Sequence, residues 1–332
     1  MPLLLWGDQP YPRFSLAPML DVTDRHFRYF LRLLSNKTLM YTEMITTGAI
    51  LHGKDPQRFL DFSAEEHPIA LQLGGSNPED LARCAVMATE WGYNEINLNV
   101  GCPSDRVQNN LIGACLMVHP NLVGECIQAM QAVTHLPVTI KCRIGVDDQD
   151  EDQDLEDFIQ HQKSAGCEIF ILHARKAWLK GLSPKQNREV PPLNYARVER
   201  LKAQHPDLVI ALNGGIDSLE ECKNHLEKVD SVMLGRAIWN NPWLVAQVDQ
   251  QLYGAEDNGL TQHQAIRNYL PYVEERLSQG DRLNPMIRPL LGVFQGVVGA
   301  RLFRRTLSEG AHLAGAGVEL IEQALAQVPE NN

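Results

Sequence analysis

The chain has 332 residues, 44% of them hydrophobic, and a net charge of −11. That length suits one large domain with a smaller one, and no stretch of 18 apolar residues occurs, so no membrane span is expected. The seven cysteines are odd in number and form no CxxC pair, and the amino-terminal residues lack a basic segment leading into an apolar one. A disulfide framework, a zinc ribbon and a secretory signal are therefore disfavoured, and a reducing cytoplasm is the expected setting.

The acidic balance speaks against a nucleic-acid partner at first sight. Much of it, however, is concentrated between residues 147 and 157. Asp147, Asp148, Asp150, Glu151, Asp152, Asp154, Glu156 and Asp157 fall there without a base, and setting these eight aside leaves the rest at −3. We read the run as a solvated loop leading into a helix. Local basic clusters then carry more weight than the global charge.

Short apolar or alternating runs followed by helix-sized stretches recur along the chain. Strands are predicted at 14–18, 39–43, 69–73, 95–99, 138–143, 168–173, 208–213 and 231–234. A helix is predicted at 77–91, with Pro78 just inside its start. In the fourth strand Ile96 and Leu98 point one way, Asn97 and Asn99 the other, before a Gly101-Cys102-Pro103 turn. In the fifth, Val138, Ile140 and Cys142 should face the helices, and Thr139, Lys141 and Arg143 the interior. Eight strands alternating with helices predict an α/β fold closed as a (β/α)8 TIM barrel. An open doubly wound sheet would show GxGxxG after its first strand, which here ends Ala17-Pro18-Met19-Leu20-Asp21. Beyond residue 255, Ile266, Tyr269, Leu270, Val273 and Leu277 keep helical spacing, and Pro271 should kink or break that helix. Further helical segments are expected near 289–307 and 318–328. The expected organisation is a catalytic barrel over 1–254 and a small helical domain over 255–332.

A barrel of this kind builds its site at the carboxyl ends of the strands. Those ends carry Pro18-Met19, Glu43, Gln72, Asn97, Asn99, Cys102, Lys141, Arg143, His173, Arg175, Asn213-Gly214-Gly215 and Gly235-Arg236. Buried Lys141 and Arg143 call for an anionic partner, either a ligand or an internal ion pair with Glu43. Asn213-Gly214-Gly215 after the seventh strand and Gly235-Arg236 after the eighth fit the phosphate grip of such barrels, although each could be an ordinary turn. A polar lumen with a phosphate grip suits a flat phosphorylated cofactor, and FMN is the natural candidate. A lysine near the N1 edge of a flavin would stabilise the charge of its reduced form. Cys102 differs from Cys84, Cys126 and Cys222, which read as packing residues. A free thiol titrates near ~8.5 and is mostly protonated at neutral pH, so Cys102 suits a general acid, or a nucleophile if a base activates it.

These elements, taken together and in order, resemble the tRNA-dihydrouridine synthases. The resemblance rests on Ala17-Pro18-Met19, Asn99-Val100-Gly101-Cys102-Pro103, His173-Ala174-Arg175, Asn213-Gly214-Gly215-Ile216 and Gly235-Arg236. Two further segments, 21–28 and 181–189, look like the A subfamily, which acts on uridines 20 and 20a of the D-loop. The resemblance implies a TIM barrel with FMN followed by a helical tRNA-binding domain. It implies FMN contacts from Pro18, Met19, Leu20, Gln72, Lys141, His173, Asn213, Gly214, Gly215, Gly235 and Arg236. NADPH would be the reductant, hydride would pass to C6 of uridine and Cys102 would protonate C5. Contacts to tRNA would come from Asn99, Lys185, Arg188, Arg301 and Arg304. Segment 282–305 holds Arg282, Arg288, Arg301, Arg304 and Arg305 and no acid, as a phosphate-reading patch should. No metal and no obligate protein partner are expected. Two other readings stay open: an FMN barrel acting on a small pyrimidine, like dihydroorotate dehydrogenases, and a non-catalytic RNA-binding barrel.

Overall fold

The computed structural model describes residue 6 and residues 9–104, 111–149 and 152–330. Eight parallel strands form one sheet: β1 (Phe14–Leu16), β2 (Met40–Thr46), β3 (Ile69–Gly74), β4 (Glu95–Val100), β5 (Val138–Arg143), β6 (Ile169–His173), β7 (Val209–Asn213) and β8 (Ser231–Leu234). Neighbours in sequence are neighbours in the sheet, and β1 pairs with β8. A parallel bridge between Ser15 and Leu39, with Leu16 N donating to the Leu39 carbonyl at 2.9 Å, joins β1 to β2 and closes the cylinder. The barrel is the (β/α)8 fold expected from the alternation of strand and helix signals.

Strand alternation sorts the side chains into two buried layers. Ile96, Leu98, Val138, Ile140 and Cys142 belong to the layer between sheet and helices. Tyr11, Ala17, Leu39, Tyr41, Ala70, Ile169, Ile171, Val209, Ala211 and Met233 form a separate cluster inside the barrel. The predicted helix at 77–91 runs from Pro78 to Trp91, with the Asn77 side chain accepting from Asp80 N as its cap.

Of the kink or break expected at Pro271, helix Gln262–Ser278 shows no break. The ring removes the bond to the Arg267 carbonyl, but both residues are exposed, so water can take that acceptor. The segment expected at 289–307 is also divided. A short 3-10 turn (Arg288–Leu290) leads through turns to helix Ala300–Gly310. Gly299 stops a continuous helix: its φ is +87°, and a Cβ there would lie 2.0 Å from the Gln327 carbonyl oxygen.

Helix 262–278 docks on helix Arg25–Leu34, the first helix of the barrel. His26 Nδ1 lies 2.8 Å from Tyr272 Oη, and the Tyr29 and Tyr272 rings stack at 3.9 Å. A buried Arg28–Glu66 pair at 2.6 Å anchors the same helix to the barrel. The carboxy-terminal helices are thereby held beside the loop that follows β1, where Arg288 donates to the Asp21 carbonyl at 3.3 Å.

Candidate active site

Cys102 sits two residues beyond β4, on a turn clamped from both sides. Asn99 Oδ1 accepts from Gly101 N at 3.1 Å and from Cys102 N at 2.9 Å. The Cys102 carbonyl in turn accepts from Ala114 N at 2.8 Å. Gly101 is pressed against β5, where a Cβ would lie 3.3 Å from the Cys142 backbone. Of the seven cysteines, Cys102 alone is not buried. Desolvation pushes the buried Cys84, Cys126 and Cys222 thiols up to about 12, which suits packing rather than chemistry.

Amides line the lumen beneath this turn. Asn99 Nδ2 donates to Gln72 Oε1 at 2.9 Å, and Gln72 Nε2 donates to Asn97 Oδ1 at 2.8 Å. Across the barrel, Lys141 Nζ donates to Asn213 Oδ1 at 3.0 Å, and Asn213 Nδ2 donates to the Met233 carbonyl at 2.7 Å. Gln72, Asn99, Lys141 and Asn213, singled out separately in the sequence, therefore share one polar lumen.

Neither Lys141 nor Arg143 pairs with Glu43 among the described residues, so the internal ion pair weighed above is not formed. Glu43 instead accepts from the Asp21 amide. Arg143 spends its donors on backbone carbonyls of Gly101 (3.1 Å), Lys176 (3.2 Å) and Asn187 (2.8 Å). Burial first, and then the Arg143 charge, pulls the Lys141 ammonium down to about 8. His173 is driven well below the usual histidine range by burial, and by the charges of Arg143, Lys141, Arg175 and Arg236. The Cys102 sulfur lies within electrostatic reach of Lys141, Arg143 and Arg188. The mouth of the barrel thus gathers cations, and among the described residues Glu189 is the carboxylate that faces Arg175, Arg188 and Arg236.

Glu189 takes Arg236, at 3.3 Å, and Arg236 also donates to the Arg188 carbonyl at 3.3 Å. Arg236 is half-exposed there, and an incoming anion would share or replace Glu189. Gly214 and Gly215 adopt φ of +115° and +75°, and a Cβ on Gly214 would lie 2.6 Å from the His173 ring. Their backbone can approach a ligand where any side chain would collide. Gly235 packs against Ala17 and Met19, since a Cβ there would meet the Met19 sulfur at 3.1 Å. Pro18 and Met19 are half-buried at the rim, and Leu20 projects with 65% of its surface exposed.

Lys185 and Arg188 are exposed on the loop after β6, and Arg188 lies within electrostatic reach of the cysteine. Arg301 and Arg304 are exposed on helix 300–310, and no ion pair engages them among the described residues. Arg305 is paired with Glu309 at 2.9 Å, which removes it from the free basic patch. The acidic run is likewise engaged. Asp147 accepts from Leu179 N at 2.8 Å, Asp152 pairs with Arg197 and Arg200, and Glu156 meets His205 at 2.5 Å. Asp150 and Glu151 lie outside the described residues. Trp178 is fixed by its backbone to the Asn187 side chain, with the Lys176 ammonium 4.6 Å from its ring. Asn187 and Glu189 belong to segment 181–189, but the sequence reading assigned them no role of their own, since they lie in an irregular loop where no periodicity marks them.

Residues 15–329 match the family model described as dihydrouridine synthase. The chain is 58% identical over 318 residues to the tRNA-dihydrouridine(20/20a) synthase of Vibrio cholerae, covering 96% of this chain and 97% of that one. It is 57% identical over 319 residues to the enzyme of the same name from Escherichia coli K12, covering 96% and 92%. Among solved structures, morphinone reductase superposes with a TM-score of 0.54 at 14% identity, over 80% of this chain and 91% of that one. A 2-naphthoyl-CoA reductase superposes with a TM-score of 0.55 at 10% identity, over 72% and 50%. At such identities these two neighbours speak to the barrel fold alone.

Proposed function

The chain belongs to the dihydrouridine synthase family, and on that premise we propose that it reduces uridines 20 and 20a in the D-loop of tRNA to 5,6-dihydrouridine. FMN is the proposed cofactor and NADPH the proposed reductant. The observation that carries this reading is the placement of one accessible thiol at the rim of a cationic, amide-lined lumen.

The lumen fits FMN on its own chemistry. Lys141 is half-buried with an amide rather than a carboxylate for a hydrogen-bond partner, and Arg175 Nε is buried with no hydrogen-bond partner among the described residues. Both are improved by an anionic, hydrogen-bonding ligand. Gly214, Gly215, Gly235 and Arg236 would hold the phosphate. Gln72, Lys141, His173 and Asn213 would meet the ring edge, and Pro18, Met19 and Leu20 would cover it. Bound there, FMN supplies hydride chemistry at C6 of the uracil ring.

Cys102 supplies the proton. Hydride addition at C6 leaves an enolate across C5 and O4, and transfer of the S–H proton to C5 completes the saturated base. The thiolate that remains lies within reach of the Lys141, Arg143 and Arg188 charges, and solvent returns its proton. Asn99 holds the thiol-bearing turn and faces the incoming base. The uracil must leave its stack to arrive there. Lys185, Arg188, Arg301 and Arg304 would bind the phosphates around it, so that residues 1–254 act as the catalytic unit and 255–332 as the tRNA-binding unit.

The test is an anaerobic half-reaction. Holoenzyme reduced by NADPH should regain its visible flavin band on addition of unmodified tRNA. Reoxidation by a free pyrimidine and not by tRNA would favour the small-substrate reading instead.

A further inference from the structure

A buried carboxylate lies at the opposite end of the lumen from the site. Glu95, the first residue of β4, is fully buried at the floor of the barrel. Tyr41 Oη donates to it, Tyr11 Oη lies 3.0 Å from Tyr41 Oη, and Trp6 Nε1 donates at 3.2 Å. Thr139 Oγ1 also donates to Glu95 Oε1, at 2.7 Å.

From Thr139 an unbroken chain of hydrogen bonds climbs to the cysteine. Asn97 Nδ2 donates to Thr139 Oγ1 at 2.7 Å, Gln72 Nε2 to Asn97 Oδ1 at 2.8 Å, and Asn99 Nδ2 to Gln72 Oε1 at 2.9 Å. Asn99 Oδ1 then receives the Gly101 and Cys102 amides. An amide side chain can be reversed end for end, so each of these links could in isolation take either polarity. Here only one polarity satisfies the whole chain. Backbone N–H groups at the top can only donate, which fixes the direction of each bond down to Glu95 Oε1. Every intervening amide is forced into one orientation, and bonds aligned this way strengthen each other.

We propose that Glu95 is a positioning residue for the Cys102 turn and for the Gln72 amide, acting through Thr139, Asn97 and Asn99. It touches no reacting atom. Its part is to close the lower end of the chain, so that the amides facing the ligand and the turn bearing the thiol hold one arrangement. This rests on the reading of Cys102 as the proton donor.

The test compares pairs of variants as holoenzymes, with rates taken per bound flavin. Glu95→Leu and Thr139→Val remove a link. Glu95→Gln and Thr139→Ser keep the acceptor or the hydroxyl. The tRNA-dependent reoxidation of NADPH-reduced enzyme should slow about tenfold in the first pair. It should stay within about threefold of wild type in the second, while NADPH-driven reduction stays within about twofold in all four. A lesion of packing alone would lower the loaded fraction rather than the rate per flavin, and serine would not rescue it. Where Glu95→Leu does not fold, Thr139→Val carries the test, since valine replaces a hydroxyl with a methyl at nearly constant volume. Thr139→Val reoxidised at the wild-type rate, or Thr139→Ser as slow as Thr139→Val, would overturn the proposal. Failure of the wild type itself to be reoxidised by tRNA would instead overturn the functional reading beneath it.

Discussion

Arg143 donates its Nε–H to the Gly101 carbonyl at 3.1 Å, and through that bond β5 holds the turn on which Cys102 sits. The same guanidinium reaches Lys176 and Asn187, so one side chain ties the turn after β4 to two points of the loop after β6. Lysine would keep the charge but not the planar fork. Arg143→Lys should therefore lose about 10- to 100-fold in kcat with little change in Tm, whereas Arg143→Ala should also be destabilised by about 2–4 kcal/mol through its orphaned carbonyls. Turnover and thermal unfolding of both variants check this, and wild-type turnover in Arg143→Lys would contradict it.

Lys141 gives a pH dependence with a defined sign. Its ammonium is held at about 8 by burial and by Arg143, and an anionic ligand favours the charged form. FMN affinity of the apoprotein should therefore fall as pH rises through about 8, by up to about tenfold per unit. Lys141→Met should bind more weakly at pH 7 and show a flatter profile. Quenching of flavin fluorescence across pH 6.5 to 9.5 reads both.

Glu95 gives another dependence, this time in stability. Burial pushes its carboxyl up to about 7, from the ordinary carboxylate value of 4.5. The folded state binds the proton more tightly than the unfolded chain, so stability present below about 4.5 is lost as pH rises through about 7. Glu95→Gln does not titrate. Its unfolding free energy relative to wild type should rise across that window by on the order of 3 kcal/mol. Urea unfolding at pH 4.5 and pH 8 measures the change, and a pH-independent difference would contradict it.

The paired arginines of helix 300–310 separate substrate binding from flavin chemistry. Arg301→Glu with Arg304→Glu should raise the KM for tRNA at least about tenfold and reduce the salt dependence of binding. NADPH-driven flavin reduction should be unchanged. A normal KM for tRNA in the double variant would remove this helix from the interface.

The barrel was legible because each strand is a short apolar or alternating run, and closure requires nothing beyond their number and order. β5 and β8 have the expected bounds, while β2 runs on to Thr46 because a register shift between Tyr41 and Met44 lets the strand continue. The strand-end residues were legible for the same reason: parallel strands bring their carboxyl ends to one rim. Whether a helix continues through Pro271 depends on whether water reaches the carbonyl it strands, and the division at Gly299 depends on a distant backbone. The Arg143 carbonyl contacts and the Arg236–Glu189 pair join irregular loops, which carry no periodic signal. Glu95 was different. It shares the inward stripe of Asn97 and Asn99, and only its distance from the strand end kept it out of the candidate site.

The most direct test of the account is nucleoside mapping of unmodified tRNA after incubation with the protein, FMN and NADPH, with Cys102→Ala in parallel. The account predicts dihydrouridine at positions 20 and 20a with wild type. With Cys102→Ala it predicts an initial rate lower by about 10²- to 10⁴-fold, despite retained flavin and tRNA binding. Absence of dihydrouridine with a flavin-loaded, NADPH-oxidising wild type, or an undiminished rate with Cys102→Ala, would contradict it.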